Sequence, residues 1–216
     1  MSKKVFYFHC FFYIYLRLLI RPDIQAQRSG TTGYRAPEVL LRSRSQTIAI
    51  DVWATGVVFL IILSGRYPFF NAKNDLEAVC QLMTIFGRRK IAELASELGY
   101  IMSVPQNCPI SEDPTMSLGE LCRMLRKGVP ARRLFGTQTK PVADQCSRKR
   151  RLDQAELSRN PIDAESEVGA NEFASLSFDL LEKLLEVRPS YRISCENALK
   201  HDFFTKFCSS SILSID

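Results

Sequence analysis

The sequence predicts a mostly α-helical fold carrying one long flexible insertion, and three observations predict it. Residues 48–63 are apolar on nearly every side, as in a helix buried in a core. Three further sets of apolar residues recur three and four positions apart, the spacing of one helix face. Between residues 127 and 170 that periodicity vanishes, and Pro, Ser, Gln and charge dominate. No strand-alternating segment of any length follows Arg21. With 216 residues, 46% of them apolar, the chain can bury a genuine core.

Residues 1–24 form an aromatic-rich apolar leader. Lys3 and Lys4 precede a run over 5–20 broken only by His9 and Arg17, the outline of a secretory signal or a short membrane anchor. The run is crowded with aromatics, short for a span and followed by no small-x-small cleavage site, so a buried or aberrantly translated segment is the preferred reading. In the helix over 48–63, Asp51 and Gly56 are embedded among Val52, Trp53, Val57 and Leu60. An acid inside so short a run argues against a membrane span. It also places a carboxylate where an unpaired charge is too costly, unless the helix is shorter than drawn. Gly65 stops this helix, and Tyr67-Pro68 continues as an extended or turn segment.

The next helix is marked by Leu76, Val79, Cys80, Leu82, Met83 and Phe86, with Asn74 or Asp75 as cap and Gly87 closing it. Leu118, Leu121, Cys122 and Leu125 mark a shorter one. Beyond the insertion, Phe173, Leu176, Leu180, Leu181, Leu184 and Leu185 repeat the spacing until Arg188-Pro189 ends it. Ser194 then caps a last short helix through His201.

The formal charge of +6 is local. Ten Lys/Arg against the single acid Asp144 fall within 123–151, whereas nine acids lie within 153–186. A pI of 9.0 earned this way does not call for direct nucleic-acid binding by the fold. Seven cysteines, an odd number with no C-x-x-C pair, indicate neither a zinc site nor a disulfide framework. Reduced intracellular thiols are the expectation.

The informative string is Gly30-Thr31-Thr32-Gly33-Tyr34-Arg35-Ala36-Pro37-Glu38, followed thirteen residues later by Asp51-Val52-Trp53-Ala54-Thr55-Gly56-Val57 and much later by Arg192. Pro37 fixes its own backbone and keeps Ala36 extended, so the chain turns there and delivers Glu38 to one defined place. The bland alternatives are that Thr31, Thr32 and Gly33 are ordinary turn residues and that Glu38 and Arg192 are solvated surface charges.

Taken together and in this order, the residues resemble the C-terminal lobe of a protein kinase, from the end of the activation segment to Arg192-Ile193-Ser194 and Lys200-His201-Asp202-Phe203-Phe204. The resemblance covers about residues 25–204, the insertion excepted. It implies that Glu38 pairs with Arg192 as a buried clamp, and that Asp51 accepts hydrogen bonds from the catalytic-loop backbone. It also implies that Thr31, Gly33 and Tyr34 position substrate, while Arg35, Ala36, Pro37, Glu38, Asp51, Trp53, Gly56 and Arg192 are structural. Leu63-Ser64-Gly65-Arg66-Tyr67-Pro68-Phe69-Phe70 and Gln81-Leu82-Met83-Thr84-Ile85-Phe86-Gly87 narrow the likeness to the cell-division-cycle serine/threonine kinases that fire replication origins by phosphorylating the replicative helicase. That branch implies a regulatory activator subunit and the helicase as partners, and a nuclear location, with Arg148-Lys149-Arg150-Arg151 resembling an import signal or, equally, a solvated charge run.

The 216 residues contain no G-x-G-x-x-G, no V-A-I-K-like strand, no H-R-D and no D-F-G. Complete kinases hold ATP and Mg with those parts, so no cofactor or metal site and no intrinsic kinase activity are expected of this chain alone. The expected organisation is a leader (1–24), kinase C-lobe (25–126), disordered insertion (127–170), terminal C-lobe helices (171–208) and a tail (209–216). The N-lobe and catalytic loop are expected to be absent. A truncated gene model best explains the leader, with a genuine short isoform as the alternative. A non-catalytic binding module is the rival function.

Overall fold

A computed structural model of the chain describes residues 15–18, 30–103, 108, 110–128 and 164–206, with side chains described for all but 15–18, Ser103 and 164–171. The elements in order are β1 (Tyr15–Leu18), α1 (Pro37–Leu40), α2 (Ala49–Ser64), α3 (Asp75–Phe86), α4 (Arg88–Glu97), β2 (Tyr100–Ser103), α5 (Leu118–Arg126), α6 (Ala164–Leu184) and α7 (Cys195–Leu199). The remainder of the leader, the Arg148–Arg151 basic run and the 209–216 tail lie outside the described residues.

The helix α2 is the axis of the core because its apolar residues outnumber what one neighbour can cover. Val52, Trp53, Gly56, Val57 and Leu60 are buried, and α5 and α6 pack against it. At Gly56 an added Cβ would sit 2.8 Å from Leu185 Cδ2 and 3.0 Å from Leu184 Cβ, so glycine is what lets the end of α6 lie against α2. Gly65, at φ 65°, ends the helix in the left-handed conformation, its N–H donating to Ile61 O at 2.9 Å.

The burial expected all round α2 is corrected on one face. Asp51, Thr55, Val58 and Ile62 form an exposed strip at helical spacing, with Val58 at 47% and Ile62 at 60% exposure. A run apolar on every side has almost no amphipathic signal, so its sequence cannot show which face is left uncovered.

Asn74 caps α3, its side chain accepting from Glu77 N at 2.9 Å. Gly87, at φ 87°, joins α3 directly to α4, a helix the sequence reading did not identify. Its first N–H groups are satisfied by loop carbonyls rather than by a capping side chain: Arg88 N donates to Ser111 O and Arg89 N to Glu112 O. A Cβ at Gly87 would stand 2.7 Å from Glu112 O, so this close approach also requires glycine. The expected absence of strands is corrected too. Residues Tyr15–Leu18, inside the leader, pair antiparallel with Tyr100–Ser103, Tyr15 opposite Ser103 and Leu18 opposite Tyr100. Four residues are too few for a period-two pattern to register.

Ser117 and Glu120 form a capping box at the start of α5, and at its end Arg126 donates to the Leu63 and Ile62 carbonyls of α2. The helix α6 begins at Ala164, inside the segment assigned to the insertion, because good helix formers without an apolar stripe leave no periodic signal. Ser194 caps α7, which ends at Leu199. Among the described residues no helix is long and apolar enough to cross a membrane.

Replacing Gly56 with Ala is expected to cost about 1–3 kcal/mol through overpacking against Leu184 and Leu185. A urea midpoint equal to that of the parent chain contradicts this packing.

Candidate functional site

The site is built around a turn and a buried ion pair. In the turn, Tyr34 N donates to Thr31 O at 3.1 Å, and Gly30 and Gly33 hold φ values of 79° and 89° that favour glycine. Thr31 and Thr32 are exposed, while Tyr34 packs partly against the core. A Cβ on Gly33 would lie 3.0 Å from Phe70 O, so the turn rests on the backbone that leads toward α3.

After the turn, Ala36 is extended (φ −68°, ψ 153°) and Pro37 opens α1, which carries Glu38 into the interior at 1% exposure. Arg192 reaches it from the loop between α6 and α7. Its Nη1 donates to Glu38 Oε1 at 2.7 Å and its Nη2 to Glu38 Oε2 at 3.0 Å. The same guanidinium donates to the carbonyls of Ala49, Glu186 and Val187 at 2.7, 2.8 and 3.1 Å, so all five of its N–H groups are used. It lies 5.1 Å over the ring of Trp53, which is fully buried. Glu38 and Arg192, 154 positions apart, thus join α1, the start of α2 and the loop after α6. Breaking one partner of such a buried pair typically costs about 3–5 kcal/mol.

Asp51 is exposed where the sequence places it inside a buried run. It faces solvent at the start of the exposed strip, with no described element covering it, so the cost of burying its carboxylate does not arise. Its backbone carbonyl accepts from the Thr55 hydroxyl at 2.9 Å. Gly56 is a packing position, as described above.

Beside the turn is a cavity of about 240 Å³. Thr32, Gly33, Arg35, Lys73, Asn74 and Asp75 line it, together with the apolar Leu40 and Leu82. Sequence reasoning missed Lys73 and gave Asp75 only a possible capping role. Arg35 Nη1 and Arg42 Nη2 both meet Asp75, at 3.3 and 3.2 Å. Partners 33 and 40 positions apart leave no local pattern to read. Among the described residues no group of His, Cys, Asp and Glu could hold a metal ion. Burial pushes the Cys122 thiol up to about 11, which leaves it unreactive as a nucleophile.

A second polar cluster fixes the C-terminal segment. His201 Nε2 lies 2.8 Å from Asp179 Oδ2 and 3.1 Å from Lys183 Nζ, and its Nδ1 accepts from Phe203 N at 3.2 Å. The Lys183 hydrogen bond holds the Asp179 carboxyl below its ordinary value, with His201 adding to the effect against desolvation. A depressed folded-state value means that this stabilisation is complete above about pH 4 and is lost as the pH falls through the folded-state value. The stability difference between the parent chain and Asp179→Asn should therefore be present at about pH 6 and shrink progressively as the pH falls below about 4. A difference in urea midpoint that does not change as the pH falls contradicts it.

With the geometry in place, the chain can be set beside known proteins. Residues 19–204 match the family described as protein kinase domain, a span that begins inside the leader and includes the insertion. The chain is 37% identical over 200 residues to the Drosophila melanogaster protein named non-specific serine/threonine protein kinase Cdc7, covering 88% of this chain and 27% of that protein. It is 36% identical over 215 residues to the Mus musculus cell division cycle 7-related protein kinase (88% and 37%), and 34% identical to the Schizosaccharomyces pombe cell cycle protein kinase spo4 (85% and 35%). The chain thus spans between about an eighth and two fifths of the length of the curated relatives it matches.

Proposed function

The chain belongs to the protein kinase family and is Cdc7-like, and from that premise we propose that it is the C-terminal-lobe part of a cell-cycle serine/threonine kinase, presenting a substrate-facing turn without transferring phosphate by itself. The observation that carries the reading is the Glu38–Arg192 pair, which fastens α1, and with it the turn that bears Thr31, Gly33 and Tyr34, beside an open cavity. In the complete family reaction the γ-phosphate of ATP passes to a Ser or Thr hydroxyl, which requires a phosphate-covering loop, a Lys, a catalytic Asp and magnesium ligands. None of the motifs that supply them occurs in the 216 residues. The roles left to this chain are substrate positioning by Thr31, Gly33 and Tyr34, and scaffolding by Arg35, Ala36, Pro37, Glu38, Asp51, Trp53, Gly56 and Arg192. The C-lobe runs over 25–126 and 171–208, with an activator subunit and a replicative helicase as partners in the nucleus. The exposed strip from Asp51 to Ile62 supports the reading, since a carboxylate beside apolar residues suits cover by further kinase-domain backbone.

The purified chain, incubated with magnesium, radiolabelled ATP and a Ser-containing peptide from a helicase tail, is expected to give no incorporation above the protein-free control. Labelled peptide contradicts the proposal. A second reading, a non-catalytic module that engages the activator subunit, is favoured by the open, mixed polar and apolar cavity. Retention of the activator by the immobilised full chain supports it, and an activator that passes through unbound rejects it.

A further inference from the structure

On the reading above, in which residues 30–35 face substrate, we propose that Asp75 is the positioning residue that ties this turn to α3, so that the turn and the start of α3 are held as one body.

Asp75 opens α3, and its carboxylate is turned away from helix capping. That task falls to Asn74, which accepts from Glu77 N. The two Asp75 oxygens instead meet guanidinium groups from two other segments, Arg35 at 3.3 Å and Arg42 at 3.2 Å, and all three side chains are only about a fifth exposed. Arg35 Nε in turn donates to Gly30 O at 3.1 Å. An unbroken polar chain therefore runs from the first residue of the turn through Arg35 and Asp75 to the loop after α1. Gly33 lying against the Phe70 carbonyl is a second close approach, between the turn and the backbone that leads into α3.

Arg42 shows that this arrangement is imposed by its surroundings. It is the one described non-glycine residue with a positive φ, 59°, a conformation that a side chain-bearing residue keeps only where neighbours over-determine it. What holds it is first the end of α1, where Arg42 N donates to Val39 O at 3.1 Å and Ser43 N to Glu38 O at 2.8 Å; Asp75 then meets its side chain, and the Tyr100 hydroxyl donates to its carbonyl at 3.4 Å. Without the Asp75 carboxylate, two guanidinium groups would face each other in a partly buried space, and their repulsion would push the turn and the loop apart. Because the tie is a coupling free energy, it must act equally in both directions. Cutting it at Asp75 loosens the turn, and cutting it at Arg35 loosens the first turn of α3.

Amide hydrogen exchange of the full chain, followed by NMR, reads both directions without catalysis or substrate, so a failure here is distinct from a failure of the functional reading. In Asp75→Asn the Tyr34 amide, bonded to Thr31 O, is expected to exchange about two- to tenfold faster, as for loss of a partly exposed ion pair. Asp75→Glu should recover part of that protection. In Arg35→Gln the amides of Glu77 and Ala78, bonded to Asn74, should accelerate by a similar factor. The Leu121 amide in α5, bonded to Ser117 O, should stay unchanged in every variant. An unchanged Tyr34 amide in Asp75→Asn overturns the proposal, as does an acceleration shared equally by Leu121. Should Asp75→Asn fail to fold, Arg35→Gln decides, because unchanged Glu77 and Ala78 amides overturn the proposal alone.

Discussion

A carboxylate and a guanidinium can be shut away from water only when the geometry leaves neither short of partners, and Glu38 with Arg192 meets that condition. The fork of Arg192 matches both carboxylate oxygens, and its remaining N–H groups find three backbone carbonyls. Those carbonyls belong to the first residue of α2 and to the chain just beyond α6. The pair therefore fixes the relative position of segments that no continuous stretch of sequence connects. Trp53, stacked beneath the guanidinium, carries the same constraint into the apolar core.

From that point the placement of the turn follows by short steps. Pro37 sets the direction in which the chain leaves the turn, and Gly33 lets the turn lie against the Phe70 backbone. On the opposite side of the core, Gly56 allows α6 to approach α2 closely enough for the loop beyond it to present Arg192. The exposed strip on α2 is the one place where this helix, apolar all round, lacks a described neighbour.

Much of this was legible in the residues because it is local. Asn74 and Ser194 are caps whose side chains bond within their own first turn, and Gly65 and Gly87 mark helix ends by backbone conformation. The string from Gly30 to Glu38 could be read for the same reason, together with its resemblance to the kinase activation segment. What escaped was non-local or too short. The helix α4 has no capping side chain and few apolar residues, since its start is satisfied by the backbone of residues 111 and 112. The four-residue strands exist only through their pairing with each other. Apolar neighbours in sequence suggest burial for Asp51, yet a helix turns each residue to a different face, and Asp51 looks outward. The contacts of Asp75 with Arg35 and Arg42 depend on tertiary approach alone.

The most direct measurement is a double-mutant cycle on Glu38→Gln and Arg192→Met, read by equilibrium urea unfolding of the full chain. A pair that anchors three segments predicts that each single change costs about 3–5 kcal/mol, and that the double change costs clearly less than the two together because no charge is left stranded. Two small costs that simply add would contradict the account, since they would mean that the carboxylate and the guanidinium act independently.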